Sequence, residues 1–258
     1  MIDFQLQKQM KKHLQFTILA LVFCFQLSAQ SVSQLIDGYL EAVGGIEVLD
    51  EIEGMKMTGK MKISGLEFPF TQVIFKDGRQ YSEIVYMGNV LKQRVYDGQH
   101  MWSINMATQQ AEYDSEESVR NAELDFNDFP DALYGYEEKG YAFRIEGKEE
   151  KFDTQVYKLK VRKEDRFING DKVPDIVYYY LDVESKISVG QETIEVDSEG
   201  NEVISIMQYG DYDDVGDGYM VPHYLSQSVN GETTFEMIVT KVEINPIIDD
   251  QEFVFPGK

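Results

Sequence analysis

The feature that most constrains this chain is an alternation of apolar and polar side chains that begins at Gly54. In "MKMTGKMKISGLEFPF", residues 55–70, Met55, Met57 and Met61 stand at alternate positions, and lysines and Thr58 stand between them. Successive side chains of a β-strand point to opposite faces, so the segment predicts a strand with one buried and one solvated face. The same period continues toward the C-terminus, which predicts a mainly β protein.

Tight turns separate the expected strands. Residues typical of β-hairpin turns are found in "KDGR", "YMGNV", "YDGQ", "VESK", "DSEGN", "DVGDG" and "VNGE". Short strands joined by such turns favour an antiparallel meander, in which neighbours along the chain are neighbours in the sheet. No helices alternate with the strands, which excludes a parallel α/β sheet.

Two segments break the strand pattern. The first, "SVSQLIDGYLEAVGG", predicts an amphipathic helix that ends at Gly44-Gly45, because its apolar residues recur at steps of three and four. The second runs from about Ser115 to Gly140 and predicts two short helices, or a helix and a loop, laid across the sheet. Ser115 is a candidate N-cap for this second segment.

The first thirty residues have the layout of a secretory signal peptide, with lysines, an apolar run from Phe16 to Phe25, and small residues before an expected cleavage near Ala29 or Gln30. The apolar run is about half as long as a membrane span requires. Translation starts at either Met1 or Met10. We therefore expect residues 1–30 to be removed, residues 31–258 to form one domain, and the product to reside in the periplasm.

Composition excludes several function classes. The formal charge of −22 repels nucleic acid, so no nucleic-acid partner is expected. The only cysteine, Cys24, lies in the leader, and His100 and His223 are the only histidines after it, so no metal site is expected. An EF-hand register on "DYDDVGDG" fails at Val215 and Pro222. No catalytic constellation and no cofactor motif is found, so we expect no enzyme.

The apolar strand faces remain as the functional candidate. They include the methionine face and, on later strands, Phe70, Ile84, Tyr86, Val95 and Trp102. These residues either pack a solid core beneath the helices or line a cavity. A closed barrel of eight strands has room for side chains or one small ligand, and more strands leave a larger interior. Methionine adapts to ligands of irregular shape.

The sequence resembles the periplasmic outer-membrane lipoprotein-sorting (LolA-like) proteins common in Bacteroidetes. The matching segments are "YLEAVGGIEVLDEIEGMKMTGKMKISGLEFPF", "VYDGQHMW", "DYDDVGDGYMVPH" and "KVEINPIIDDQEFVFP". The chain departs from the family pattern in "WSINMAT" and in the longer "RKEDRFINGDKVPDIVYYYLD". The resemblance implies an open antiparallel β-barrel of about eleven strands, with an N-terminal helix and a short helical plug or lid, whose concave side takes up acyl chains.

The expectation that follows is a non-catalytic periplasmic carrier that binds the acyl chains of lipids or lipoproteins and does not span the membrane. The expected cavity-lining residues are Met57, Met61, Ile63, Phe70, Ile84, Tyr86, Val95 and Trp102. The expected plug and lid residues are Leu35, Tyr39, Phe126, Phe129 and Leu133. The alternatives are an envelope interaction or scaffold protein with a filled barrel and a protein partner, or a hydrolase of envelope glycans or lipids.

Overall fold

The computed structural model describes residues 30–196 and 201–257. The expected signal peptide with its cleavage position and start codon, Cys24 and most of the "DSEGN" turn lie outside the described residues. By compactness the chain divides into two units, Met1–Leu35 and Ile36–Lys258. The described part of the first unit holds the start of one helix, and the second unit holds every strand. A single domain over residues 31–258 stays a prediction.

Three α-helices and one 3-10 helix are present in the described residues. They are α1 (Val32–Ala42), α2 (Ile46–Asp50), α3 (Glu116–Phe126) and the 3-10 helix Asp250–Phe253. Helix α1 starts with a reciprocal cap, in which the Ser31 N–H donates to Gln34 Oε1 and the Gln34 N–H donates to Ser31 Oγ, both at 3.1 Å.

The expected apolar side of α1 is buried. Ile36, Tyr39, Leu40 and Val43 are each at most 6% exposed. The helix is followed by Gly44 and Gly45, whose φ angles of 130° and 87° favour glycine. At α3, Ser115 is the N-cap and accepts a hydrogen bond from the Ser118 N–H, as predicted.

Most of the second unit is one antiparallel sheet. The strands are β1 (Gly54–Ile63), β2 (Leu66–Phe75), β3 (Gln80–Tyr86), β4 (Asn89–Tyr96), β5 (Met101–Ile104), β6 (Ala111–Tyr113), β7 (Ala142–Lys151), β8 (Thr154–Arg162), β9 (Arg166–Ile168), β10 (Asp171–Val173), β11 (Ile176–Asp182), β12 (Ser188–Val196), β13 (Glu202–Asp214), β14 (Met220–Val229) and β15 (Glu232–Ile244). Thirteen of them form the sheet, in the order β6-β5-β4-β3-β2-β1-β15-β14-β13-β12-β11-β8-β7.

The predicted mainly β, antiparallel fold with few helices is confirmed. Chain neighbours pair along most of the sheet, and the first and last strands, β1 and β15, pair with each other. The edge strands β6 and β7 do not pair with each other within the described residues. The sheet has two more strands than the expected eleven or so, and part of the long "RKEDRFINGDKVPDIVYYYLD" segment forms a separate ribbon of β9 and β10.

The register defines two faces of the sheet. A row of paired residues, Met55, Ile74, Gln80, Tyr96 and Met101, crosses β1 to β5 on one face. Helix α3 packs on Tyr96 and Met101 there, and we call this the helix face.

The opposite face carries Val73, Tyr81, Val95 and Trp102. Phe253 of the 3-10 helix covers these four side chains, and we call this the tail face. Each face of β2 to β5 therefore has its own buried cluster.

Candidate functional site

Six of the eight expected lining residues lie on the helix face. The buried side chains of Phe70, Met237 and Val239 form a cluster there. Met57, Met61 and Ile84 are only partly buried and pack against this cluster, and we call these three residues the Met patch. Ile63 and Tyr86 follow on the same face toward the hairpin turns and are half-buried.

The placement of Val95 and Trp102 needs a correction, because both lie on the tail face. Between Ser82–Gln93 and Gln80–Tyr96 the pairing advances two residues on β3 and three on β4. The extra residue is a bulge at Arg94, which has a φ of 50°. The bulge reverses the alternation, so Val95 and its partner Trp102 point away from the Met patch.

Trp102 is a core residue beneath the C-terminal segment. Its Nε1–H donates a hydrogen bond of 3.0 Å to the backbone oxygen of Phe253, and its ring meets Phe255 at an edge with centroids 5.8 Å apart. A buried indole N–H requires an acceptor, and the chain supplies one. Trp102 therefore belongs to a packed cluster on the face opposite the Met patch.

A cavity of about 540 Å³ opens on the helix face beside the Met patch. Its walls come from α1, β1, β11 to β14 and the segment that follows α3. Among the expected lining residues it is Met57 that reaches this cavity, and among the expected lid residues it is Tyr39. Met57 and Leu225 also pack against the cluster beneath the Met patch, so the apolar surface is continuous from the cavity to that patch.

The other expected lid residues are buried or half-buried. Leu35 and Leu133 are buried. The Phe126 ring lies 4.8 Å from the Tyr96 ring, centroid to centroid, and Phe129 is half-buried. Tyr39 links α1 to the segment after α3, since its hydroxyl donates a 2.5 Å hydrogen bond to Asp131 Oδ2.

Asp131 stands at the centre of a group of tyrosines that line the cavity. Its Oδ1 accepts a hydrogen bond of 2.7 Å from the Leu133 N–H. The five tyrosines are Tyr39, Tyr179, Tyr209, Tyr212 and Tyr219. Burial raises the pKa of each of them, and the negative charge of Asp131 raises each pKa further. Burial also raises the pKa of the Asp131 carboxyl above its ordinary value. The five hydroxyls therefore stay protonated at neutral pH.

Sequence reasoning missed this group. Tyr179 was one of three consecutive tyrosines in "VYYYLD", which fit a half-exposed strand as well as a binding surface. In the structure Tyr179 faces the cavity, whereas Tyr178 and Tyr180 turn to the other side, where Lys158 Nζ lies 4.6 Å and 5.5 Å from their ring centroids. The alternation of side chains along a strand, which puts Tyr179 on the opposite face from Tyr178 and Tyr180, was the sequence signal that separates this tyrosine from its neighbours.

Ion pairs occupy another part of the cavity wall. Lys163 pairs with Asp128, and Arg166 pairs with Asp125 and, at 2.8 Å, with Asp175. Both basic residues of the lining are thus already bound to carboxylates. The lining contains five acidic residues and two basic ones, so its formal charge is negative.

Metal binding and membrane crossing by helices find no support in the described ranges. No group of three or more His, Cys, Asp or Glu side chains in those ranges is placed to hold a metal ion. No helix in residues 30–196 or 201–257 has the length and apolar character needed to cross a membrane.

Comparison with known proteins places the fold. No protein-family model and no curated protein matches the sequence. The structure is similar to a domain assigned to an outer membrane lipoprotein-sorting protein from Vibrio parahaemolyticus, with a TM-score of 0.51, 14% identity and coverage of 84% of this chain and 97% of that one. The structure is also similar to a DUF1329 family protein from Desulfovibrio piger, with a TM-score of 0.50 and 14% identity. The match covers 84% of this chain and 95% of that one.

At these identities the likeness concerns the fold alone. The mainly β fold that the LolA-like resemblance implied, with a large antiparallel sheet and few helices, is therefore confirmed. Its narrower Bacteroidetes type stays a prediction.

Proposed function

We propose that this protein is a periplasmic, non-catalytic carrier that holds the apolar part of a lipid or lipoprotein on the helix face of its sheet. The observation that carries the proposal is the continuity between the cavity and the Met patch through Met57 and Leu225. A bound chain would place one end in the cavity and extend over Met61 and Ile84.

Size and driving force agree with this role. The cavity of about 540 Å³ falls within the range of roughly 300–1,000 Å³ that small-molecule pockets occupy. Each methylene removed from water stabilises the complex by about 0.8 kcal/mol, so a ten-carbon chain gains roughly 8 kcal/mol before the ordering costs. The lipoprotein-sorting assignment of the Vibrio domain with the same fold supports the same class of ligand.

The test is the binding of decanol, an uncharged chain, to two variants of β1. Met61→Glu places a carboxylate in the Met patch and should weaken decanol binding at least tenfold, because the charge would have to be buried against the ligand. Thr58→Glu adds the same charge on the opposite side of the same strand, next to Lys241, and should leave the affinity unchanged.

Two results would count against the proposal. A Met61→Glu variant that binds decanol as tightly as the parent protein would remove the Met patch from the binding surface. Absence of decanol binding by the parent protein, measured by calorimetry on a sample freed of bound lipid, would overturn the carrier role itself.

A further inference from the structure

The polar end of the cavity contains the Asp131 carboxylate, which the charge of Lys139 attracts without forming an ion pair. Asp131 accepts hydrogen bonds from the Tyr39 hydroxyl and the Leu133 N–H, but it forms no ion pair within the described residues. The nearby Lys139 ammonium donates instead to the backbone oxygens of Asp131 and Ala132, at 3.0 and 3.2 Å. A partly buried carboxylate is costly unless a cation or several donors offset its desolvation.

Of the five cavity tyrosines, Tyr179, Tyr209 and Tyr219 have hydroxyls without a hydrogen-bond partner in the described residues. Tyr179 and Tyr219 are each 6% exposed and line the cavity. Neither hydroxyl makes a hydrogen bond within residues 30–196 and 201–257, yet no side-chain oxygen in those ranges is both fully buried and unpartnered. Both hydroxyls therefore reach the open space of the cavity, where their oxygens can accept hydrogen bonds from a ligand.

The charge of the lining discriminates between ligands. Lys163 and Arg166 are paired with carboxylates, which leaves Asp131 and Glu195 as lining acids without an ion pair in the described residues. A ligand carboxylate placed here would meet like charge. An ammonium group would meet the Asp131 carboxylate, would donate up to three hydrogen bonds, and would lie among aromatic rings that attract cations.

We infer that the tyrosine-lined end of the cavity recognises an ammonium group at the polar end of the bound molecule and disfavours a carboxylate there. The inference rests on the proposed function, because the apolar chain of the same molecule would lie toward Met57 and the Met patch. The ammonium would donate to the free side of the Asp131 carboxylate and to the hydroxyl oxygens of Tyr179 and Tyr219. The recognised molecule is thus an amphiphile with an ammonium group at its polar end, and a free fatty acid is a poor fit.

The experiment compares three probes with the same chain and different ends: decylammonium, decanol and decanoate, titrated calorimetrically below micelle formation at pH 7. We expect decylammonium to bind at least tenfold more tightly than decanol, and decanoate to bind more weakly than decanol. Asp131→Asn removes the charge but keeps an acceptor for the Leu133 N–H. It should bring the decylammonium and decanol affinities together, because the loss of charge weakens decylammonium binding far more than decanol binding.

A matched control is available in an exposed turn. Asp153 has a φ of 60°, which asparagine adopts readily, and Asp153→Asn removes one exposed carboxylate that does not line the cavity. This variant should retain the full preference for decylammonium. If the preference fell equally in both variants, it would reflect the net charge of the protein, and the inference would be wrong.

Further probes show whether the ammonium group belongs to a lipid headgroup or to a small free amine. Lysophosphatidylethanolamine and lysophosphatidylglycerol both carry a phosphate, but only the first carries an amine. A preference for the first that disappears in Asp131→Asn supports a lipid headgroup as the source. Binding of ethylammonium alone, with the same sensitivity to Asp131→Asn, supports a small free amine.

Different binding results would overturn the ammonium site and the carrier role. Decanol binding without any preference for decylammonium, or a preference that survives Asp131→Asn, overturns the ammonium site and leaves the carrier role intact. Absence of decanol binding by the parent protein overturns the carrier role, whatever the result with decylammonium.

Discussion

Replacing Phe253 by alanine should destabilise the fold strongly and leave ligand binding unchanged. Phe253 is 2% exposed, and its ring meets Tyr81 and Phe75 at an edge, with centroids 5.5 and 6.2 Å apart. Truncation of a buried phenylalanine costs about 3–5 kcal/mol. For a protein of this size 1 kcal/mol changes the melting temperature by about 2–4 °C, so we expect a decrease of roughly 6–20 °C.

The assay is urea unfolding followed by the fluorescence of Trp102, the only tryptophan, with decanol affinity measured on the same samples. The hydrogen bond from Trp102 to the Phe253 backbone oxygen survives the substitution, so the loss reports side-chain packing. Val254→Ala is the control, since Val254 is 40% exposed and its truncation should change stability by less than about 0.5 kcal/mol. A Phe253→Ala variant that loses decanol binding but less than about 1 kcal/mol of stability would refute the assignment of Trp102 to a core separate from the cavity.

Two further predictions concern the sheet. Burial alone raises the pKa of Glu192, but the hydrogen bond of 2.9 Å and the charge of Lys151 lower it below its ordinary value. Glu192→Gln should therefore cost about 2 kcal/mol at pH 7, and in urea titrations this deficit should shrink as the pH falls below about 4.3 and through the folded pKa. A Cβ on Gly59 would lie 2.0 Å from the Ile238 oxygen, so Gly59→Ala should cost about 3 kcal/mol by thermal unfolding, whereas Gly210→Ala, with its nearest contact at 3.5 Å, should not.

Each of these two predictions has an outcome that would contradict the structure. A deficit in Glu192→Gln that stays constant from pH 7 to pH 3 would show that the carboxylate is not stabilised by Lys151. Equal stability of Gly59→Ala and the parent protein would contradict the close approach of β1 and β15 at the bulge after Thr58.

Local patterns were enough to predict most elements. The alternation that begins at Gly54 and the hairpin turns predicted an antiparallel arrangement of short strands, because burial on one face of a strand leaves a signal of period two. The apolar series in α1 located a helix whose inner side is buried in the structure. These are properties of adjacent residues, and a single sequence contains them.

The face of Val95 could not be predicted, because it depends on one inserted residue. The bulge falls at Arg94, in "LKQRVYD", where no glycine or proline indicates a φ of 50°. Strict alternation from Leu91 through Gln93 places Val95 on the helix face, and the bulge places it on the tail face together with Trp102. A shift of one residue inverts every later side chain of a strand.

The tyrosine group could not be predicted for a different reason. Tyr39 and Asp131 are 92 residues apart in the chain, Tyr179 lies in β11, and Tyr219 directly precedes β14. Their convergence is a consequence of the order of strands in the sheet, in which β11 to β14 form one side of the cavity. Composition shows only that tyrosine is frequent, with 16 in the chain.

The most direct test of the carrier role is organic extraction of the purified protein followed by mass spectrometry. The account predicts an amphiphile with an apolar chain, present in near-equal molar amount to the protein and depleted in Met61→Glu but not in Thr58→Glu. An extract without such a molecule, from a protein whose melting temperature does not rise on addition of decanol, would contradict the account and favour a filled sheet that serves as an interaction scaffold.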